Sequence, residues 1–217
     1  MQRYSLLVFD WDGTLMDSTA AIVRAIQAAA RDLDLPEPPD RQARHVIGLG
    51  LADALGMAVP ELPKERYPEM VERYRYHYLS RDHELVLFDG IAELIGELAG
   101  AGFQLAVATG KSRLGLDRAL KHSGLGRFFD ASRCADECFS KPHPQMLLEL
   151  METFGAAPER TLMIGDTSHD LLMARNAGVD ALGVTYGAHQ EEHLNEYGPL
   201  NCFSTVPELA EWLKSHA

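Results

Sequence analysis

Two carboxylates follow an apolar tetrapeptide near the start of the chain. Residues 6–9, Leu-Leu-Val-Phe, suit a strand that is buried on both faces, and they lead directly into Asp10 and Asp12. In an open α/β sheet, ligands bind beyond the carboxyl ends of the strands, so both acids are expected to face a crevice. Two carboxylates this close repel each other unless a proton or a cation lies between them. The pair therefore indicates chemistry, although Asp-Gly is also a common turn dipeptide and Ser18 could simply cap the next helix.

Further polar groups occupy comparable places later in the chain. Thr109 and Asp166 each follow a predicted buried strand, and Asp170 comes four residues after the second of them. Lys141 lies in Ser-Lys-Pro-His-Pro, where two prolines exclude a regular helix or central strand and fix the loop that presents the amine. Each residue alone has an ordinary explanation, such as a helix N-cap or a surface lysine. Acids, a hydroxyl and an amine on one rim together favour phosphate chemistry.

Three of these acids require a counter-charge if they meet. Placing Asp10, Asp166 and Asp170 around a phosphate dianion is self-repulsive, since each charge pair at ~4 Å costs about 4 kcal/mol at an effective dielectric of ~20. A divalent cation removes this repulsion. Hard oxygen ligands without His or Cys favour Mg²⁺ over zinc or copper.

The elements that must position these residues alternate between strand and helix. Such alternation predicts βαβ units and an α/β fold with a Rossmann-like, doubly wound parallel sheet. Strands are predicted at 6–9, 103–108, 128–131, 161–164 and 181–185, with a short edge strand at 202–203, and helices at 91–98, 114–122, 144–154, 171–177 and 206–214.

The stretch from about residue 20 to 85 carries only helical patterns. Apolar spacing predicts helices over 20–33 and 64–79, and short helices within 43–57 that are separated by a bend at two glycines. The proline-rich segment 35–40 ends the first helix. This is too long for one crossover between strands. We therefore expect a helical cap at 18–85, inserted into an α/β catalytic core of 1–17 and 86–217, with a cleft between the two.

Composition narrows the class of protein. The chain has 217 residues with 20 Lys+Arg against 32 Asp+Glu, a formal net charge of -12, so a nucleic acid backbone would be repelled. No apolar run reaches the ~18 residues of a membrane span, and Asp10 interrupts the first run too early for a signal peptide. We expect a cytoplasmic protein with no membrane or nucleic acid partner, a monomer or weak homodimer. Its cysteines, Cys134, Cys138 and Cys202, are expected to be reduced thiols without a metal role.

At this point the residues form a pattern that resembles a known superfamily. Asp-Trp-Asp-Gly-Thr at 10–14, Thr109, Lys141 and Gly-Asp-Thr-Ser-His-Asp at 165–170 resemble, in order and spacing, the four motifs of the haloacid dehalogenase superfamily. The resemblance spans nearly the whole chain. The helical insert resembles that superfamily's small helical cap. Gly-Leu-Gly-Leu at 48–51, with Asp-Gly-Thr-Leu-Met-Asp-Ser at 12–18, is similar to phosphoglycolate phosphatases and their relatives.

The resemblance implies a Mg²⁺-dependent phosphatase acting on a small phosphorylated metabolite, such as phosphoglycolate. Asp10 would attack phosphorus to give an aspartyl-phosphate, and Asp12 would protonate the leaving alcohol and then deprotonate the attacking water. Thr109, Gly110 and Lys141 would bind the phosphate.

The same resemblance implies a metal set and shows one departure. Asp10, Asp166 and Asp170 would hold Mg²⁺ together with the backbone carbonyl of Asp12. Gly110 stands where relatives often have Asn, which would remove one side-chain contact to the phosphate. His143 and His169 flank the motifs, and we interpret them as hydrogen-bonding neighbours because the oxygen ligands already suit Mg²⁺.

Two alternatives remain open. A phosphosugar mutase would keep all these residues and differ in its cap. A non-hydrolytic, phospho-accepting signalling module also places acids, Thr and Lys on a parallel sheet, but it needs neither a cap nor Asp12. A P-loop nucleotidase, suggested by Gly-Lys-Ser at 110–112, is excluded because position 105 is Leu105 and not glycine.

Overall fold

A six-stranded parallel sheet forms the centre of the protein, in a computed structural model that describes residues 3–217. The strand order β3-β2-β1-β4-β5-β6 is that of a doubly wound sheet, so the predicted α/β, Rossmann-like fold class is confirmed. The strands are β1 (Leu6–Phe9), β2 (Gln104–Thr109), β3 (Ala131–Cys134), β4 (Thr161–Gly165), β5 (Asp180–Val184) and β6 (Asn201–Phe203).

Helices pack on both faces of the sheet. The helices of the described residues are α1 (Thr19–Asp32), α2 (Asp40–His45), α3 (Leu51–Ala58), α4 (Tyr67–Leu79), α5 (Ile91–Gly100), α6 (Arg113–Ser123), α7 (Gln145–Phe154), α8 (Ser168–Ala177), α9 (Glu191–Asn195) and α10 (Val206–His216). Helices α5 and α10 lie on one face of the sheet, and α7 and α8 lie on the other. Alternate residues of β1 point to opposite faces, which is why this strand is apolar throughout. Leu7 and Phe9 pack in one core with α5 and α10, and Leu6 and Val8 pack in another with α7 and α8.

The register of the central strands sets the place of the site. Phe9 is level with Val107 of β2 and with Ile164 of β4, so β4 extends one residue and β2 two residues beyond the end of β1. The Asp10 amide still donates to the Ile164 carbonyl at 2.9 Å. At the end of β1 the chain lies between β2 and β4, and the connections of these two strands run in opposite directions. A crevice opens at this point.

Helices α1–α4 share a hydrophobic cluster of their own. It includes the buried residues Ile26, Ala29 and Leu55. It also includes Ala188, which follows β5 and lies outside these four helices. At its surface, Asp32 of α1 lies 2.7 Å from both Arg73 Nε and His77 Nε2 of α4. No strand lies within the described residues 20–80. The division into a cap of 18–85 and a core of 1–17 with 86–217 stays a prediction.

The chain leaves the core and returns to it through a short two-stranded ribbon. Met16 forms a bridge with Leu87, and the Asp17 amide donates to the Val86 carbonyl at 3.0 Å. The two connections therefore lie side by side.

One predicted strand was wrong. The apolar residues at 128–131 predicted a strand, but β3 spans Ala131–Cys134 and residues Leu125–Arg127 form a 3₁₀ turn. Phe129 instead packs edge-on against Phe9 and Trp11, with ring centroids 6.4 Å apart in each case. Phe129 is apolar because it covers the end of the sheet. The polar edge strand β3 follows it.

Two smaller expectations can be compared directly. All three cysteines are unpaired. Among residues 3–217, no helix has the length and apolar character needed to cross a bilayer.

Candidate active site

Four of the predicted residues meet beyond the ends of β1 and β4. Carboxylate oxygens of Asp10, Asp166 and Asp170 lie within 4.8 Å of one another, and all three side chains are buried. Lys141 Nζ lies 2.8 Å from Asp10 Oδ1 and 2.6 Å from Asp170 Oδ1, and this lysine is 2% exposed. The proline-rich loop thus places the amine between two of the acids.

Asp166 is held by hydrogen bonds to both of its oxygens. Thr14 Oγ1 donates to Oδ1 at 2.8 Å, and the Ala188 amide donates to Oδ2 at 2.7 Å. Gly13, with φ of +82°, brings its backbone so close that a Cβ there would occupy the space of the Asp166 carboxylate. Glycine is required at position 13 on both grounds.

Asp170 is positioned by the start of α8. The hydroxyl of the N-cap residue Thr167 donates to Asp170 Oδ2 at 2.6 Å. Thr167 also accepts at Oγ1 from the Asp170 amide at 3.4 Å, and its own amide donates to Asp170 Oδ2 at 3.1 Å, which forms a capping box. This motif explains why α8 begins at Ser168, three residues before the predicted start. The second oxygen, Oδ1, remains for Lys141.

Asp10 differs from the other two acids. Among the described residues, neither of its oxygens accepts a hydrogen bond of normal geometry, although Lys141 is in ion-pair contact. Burial raises the pKa of Asp10 to about 7; Lys141 opposes that rise, and Asp170 and Asp12 add to it. Burial and the neighbouring Asp10 and Asp170 likewise raise the pKa of Asp166 well above its usual value.

The charges of this cluster do not balance. Burial alone would lower the pKa of Lys141, but Asp10 and Asp170 raise it further, so the ammonium stays charged. One ammonium faces three carboxylates, and one of these carries two oxygens without hydrogen bonds. A hard divalent cation fits this set of oxygen donors.

Asp12 is turned away from that cluster. Ser18 Oγ donates to Asp12 Oδ1 at 2.6 Å, and Lys111 Nζ lies 3.0 Å from Oδ2. Lys111 in turn donates to the hydroxyl of Tyr78, on α4, at 2.9 Å. The Asp12 side chain is therefore not placed to bind the cation, which leaves its backbone carbonyl for that role.

The sequence does not predict the contacts that Ser18, Lys111 and Tyr78 form around Asp12. Ser18 is the N-cap residue of α1, but its side chain makes no capping bond and binds Asp12 instead. In the sequence, Lys111 stands out only within Gly-Lys-Ser at 110–112, which is excluded as a P-loop. For Tyr78 the one available signal was its apolar helical spacing, which points equally well to a core position.

Thr109 ends β2, and Gly110 follows it beside the helical cap. Thr109 is buried, and its Oγ1 accepts a hydrogen bond from the Lys111 amide at 3.2 Å. A Cβ on Gly110 would collide with the Gly48 and Leu49 carbonyls, and the Gly50 amide donates to Ser140 Oγ at 2.8 Å. The glycine-containing loop of the cap therefore rests directly on the loops that follow β2 and β3.

The two flanking histidines lie outside the acid cluster. The His169 ring donates from Nε2 to the His45 carbonyl at 2.7 Å, and His143 Nδ1 accepts from the Gln145 amide at 3.2 Å. Both side chains act as hydrogen-bonding neighbours. His169 thereby links α8 to the end of α2 in the cap.

Between the cap and the core lies a cavity of about 760 Å³. Asp10, Asp12 and Thr109 line its floor, and Ile26, Leu55 and Tyr78 line the cap side. The cavity thus opens from the reactive carboxylates onto a mixed apolar and polar wall.

Comparison with known proteins agrees with this arrangement. The family model for haloacid dehalogenase-like hydrolase matches residues 7–184. The chain is 40% identical to the probable phosphatase IndB of Dickeya dadantii, over 94% of this chain and 91% of that protein, and 34% identical to a 5'-nucleotidase of Pseudomonas aeruginosa, over 99% and 97%. A crystal structure of a predicted phosphoglycolate phosphatase from Haemophilus somnus superposes with a TM-score of 0.86 at 25% identity, covering 97% of this chain and 98% of the other.

The sheet, the acid cluster and these relatives define an enzyme of the phosphatase class. The resemblance noted in the motifs is confirmed along most of the chain. The chain belongs to the haloacid dehalogenase-like hydrolases.

Proposed function

We propose that this protein is a Mg²⁺-dependent phosphatase that hydrolyses a small phosphorylated metabolite through an aspartyl-phosphate on Asp10. The observation that carries the proposal is the Asp10 carboxylate. It is buried, free of hydrogen bonds from the described residues, and in contact with Lys141 inside a cluster of acids. A carboxylate with unshared oxygens is available to form a bond to phosphorus.

The residues that would hold Mg²⁺ are Asp10, Asp166, Asp170 and the backbone carbonyl of Asp12. When bound, the ion neutralises negative charge on the carboxylates and on the transferring phosphoryl group. Hydrogen bonds from Thr14 and Thr167 keep Asp166 and Asp170 from rotating, so their positions are set before any ligand arrives.

In the first half of the reaction an Asp10 oxygen forms a bond to phosphorus, and the bond from phosphorus to the alcohol oxygen breaks. Asp12 donates its proton to that alcohol oxygen, which leaves as the neutral alcohol. Thr109 and Lys141 hold the phosphoryl oxygens. Lys141 also offsets the charge on Asp10 through its 2.8 Å contact.

In the second half the Asp12 carboxylate takes a proton from water, whose oxygen bonds to phosphorus as the bond to Asp10 breaks. Inorganic phosphate leaves and both aspartates return to their first state. Ser18 Oγ donates to Asp12 Oδ1 at 2.6 Å and so holds the carboxyl group in one orientation for this step.

The substrate class follows from the cavity and the relatives together. Two of the three relatives are named for a substrate, as a 5'-nucleotidase and as a predicted phosphoglycolate phosphatase, and the third is named only as a probable phosphatase. A cavity of about 760 Å³ suits a ligand of metabolite size. We favour a phosphoglycolate-like ester and a protein that works as a monomer or weak homodimer in the cytoplasm.

The test is turnover of p-nitrophenyl phosphate with Mg²⁺, with excess chelator, and with Mg²⁺ restored. We expect activity to depend on Mg²⁺ and Asp10→Asn to lower it by at least ~10³-fold, because the nucleophile is lost. Asp89→Asn, on an exposed aspartate, is the matched control and should keep wild-type activity. Acid-quenched wild-type enzyme should contain acyl-phosphate.

Three results would contradict the proposal. Full activity in excess chelator would show that the reaction needs no metal, and normal turnover by Asp10→Asn would show that Asp10 is not the nucleophile. Isomerisation of a sugar phosphate without release of inorganic phosphate would show a mutase instead.

A further inference from the structure

We infer that Lys111, held by Tyr78 of the cap, is a specificity-determining residue that selects phosphate esters whose alcohol half carries a negative charge close to the ester oxygen. This inference rests on the proposed function, and it assigns a role to a lysine that the proposed chemistry at phosphorus does not use.

The first support is the burial of Lys111. Among the described residues that line the cavity, the cations are Arg75, Lys111 and Arg118. Arg75 is exposed, and Arg118 is 42% exposed and paired with Asp82. Lys111 is 11% exposed and faces the ligand space. A largely buried ammonium is costly unless it is partnered, and Asp12 supplies one such partner at 3.0 Å, so the cation is held beside the ligand space.

The second support is its incomplete set of partners. An ammonium has three N–H donors. Among residues 3–217, the polar contacts of Lys111 Nζ are the Asp12 carboxylate and the Tyr78 hydroxyl. The third donor remains available for a ligand.

The third support is position. In the proposed reaction Asp12 contacts the ester oxygen of the leaving alcohol. Lys111 Nζ lies 3.0 Å from Asp12 Oδ2. A carboxylate or phosphate one or two bonds beyond that oxygen is therefore brought beside Lys111, whereas the phosphoryl group itself meets Thr109 and Lys141.

Tyr78 fixes the lysine from the cap side. Its hydroxyl accepts from Nζ at 2.9 Å, its ring centroid lies 4.9 Å from Nζ, and Tyr74 stacks on it at 5.8 Å. A lysine is flexible, and ordering it in advance lowers the entropic cost of binding an anion. The cap therefore contributes to the choice of substrate through this tyrosine pair.

The experiment uses three esters with the same phosphate and two-carbon frame but different charge: phosphoglycolate, 2-hydroxyethyl phosphate and phosphoethanolamine. We expect kcat/KM of the wild type to fall in that order, with the anion preferred over the neutral ester by ~10- to 100-fold, as for a charge-assisted hydrogen bond. Lys111→Met should bring that ratio to near one. Lys111→Arg should restore part of it, and Tyr78→Phe should lower it several-fold.

Lys121→Met, on an exposed lysine of α6, is the matched control and should leave both the ratio and the activity unchanged. Should Lys111→Met fail to fold, the ratio in Tyr78→Phe still decides. Equal kcat/KM for the anionic and neutral esters in the wild type overturns the inference while phosphatase activity persists. A wild-type ratio in Lys111→Met, or in Tyr78→Phe if Lys111→Met does not fold, overturns it as well. Absence of phosphate release from every ester, including p-nitrophenyl phosphate, overturns the proposed function and the inference with it.

Discussion

Replacing Gly110 with alanine tests whether close contact between the cap and the β2 loop is needed for activity. A Cβ at this position would lie 2.6 Å from the Gly48 carbonyl oxygen and nearer still to that of Leu49, whereas real Cβ atoms almost never come within 3.0 Å of another atom. The contacted atoms are backbone, so they can yield only if the cap loop moves. Overpacking of this kind costs ~1–3 kcal/mol. It would reduce the population of molecules in which the cap loop rests on the loop after β2 by roughly 5- to 150-fold.

We therefore expect Gly110→Ala to lower kcat/KM for p-nitrophenyl phosphate by ~10-fold or more. Its Tm should change little, because the cap relieves the clash by opening. Gly110→Asn should be worse still, even though it supplies the amide found in relatives. Steady-state kinetics and thermal melts measure both effects.

Gly100→Ala is the matched control for this change. Gly100 ends α5, a Cβ there meets nothing within 4 Å, and neither glycine has a positive φ. The control should therefore behave as the wild type. Wild-type kcat/KM in Gly110→Ala would refute the reasoning, and so would a large fall in Tm.

Two further predictions concern hydrogen bonds to carboxylates. Ser18→Ala removes the 2.6 Å donor to Asp12, so kcat should fall by ~10-fold with KM nearly unchanged, as stopped-time phosphate assays would show; an unchanged kcat would contradict the role given to Ser18. Asp32→Asn removes the contacts from α1 to His77 and Arg73. Hydrogen bonds from these two residues lower the pKa of Asp32. The stabilisation they give is therefore present above the ordinary aspartate pKa and is lost as the pH falls through the lowered pKa. Wild type should melt slightly above Asp32→Asn at pH 7 and together with it in strong acid; a constant difference in Tm at every pH would contradict this.

Much of the fold was predictable because local pattern and tertiary position agree. The run at 6–9 is apolar since β1 is covered on both faces, and the polar residue after each central strand marks the sheet edge. The third strand failed for the opposite reason. Phe129 is apolar to cover Phe9 and Trp11, whereas β3 at the sheet edge is polar.

The acids of the site were predictable, but their supporting contacts were not. Asp10 and Asp166 follow strands, and strand ends meet at one rim whatever the loops do. Lys111 and Tyr78 are joined only by the packing of the cap on the core. The same is true of Gly110 and Gly48, which lie in different elements with no shared motif. Contacts of this kind depend on the angle between two packed units, which no local pattern records.

The ribbon of Met16 and Leu87 has a consequence for how such enzymes diversify. Because the outgoing and returning segments are hydrogen-bonded neighbours, everything between them is an insertion whose ends already touch. Its length and sequence can drift without disturbing the register of β1. Exchange of the helices between these two segments would therefore leave Asp10, Asp166 and Asp170 where they are.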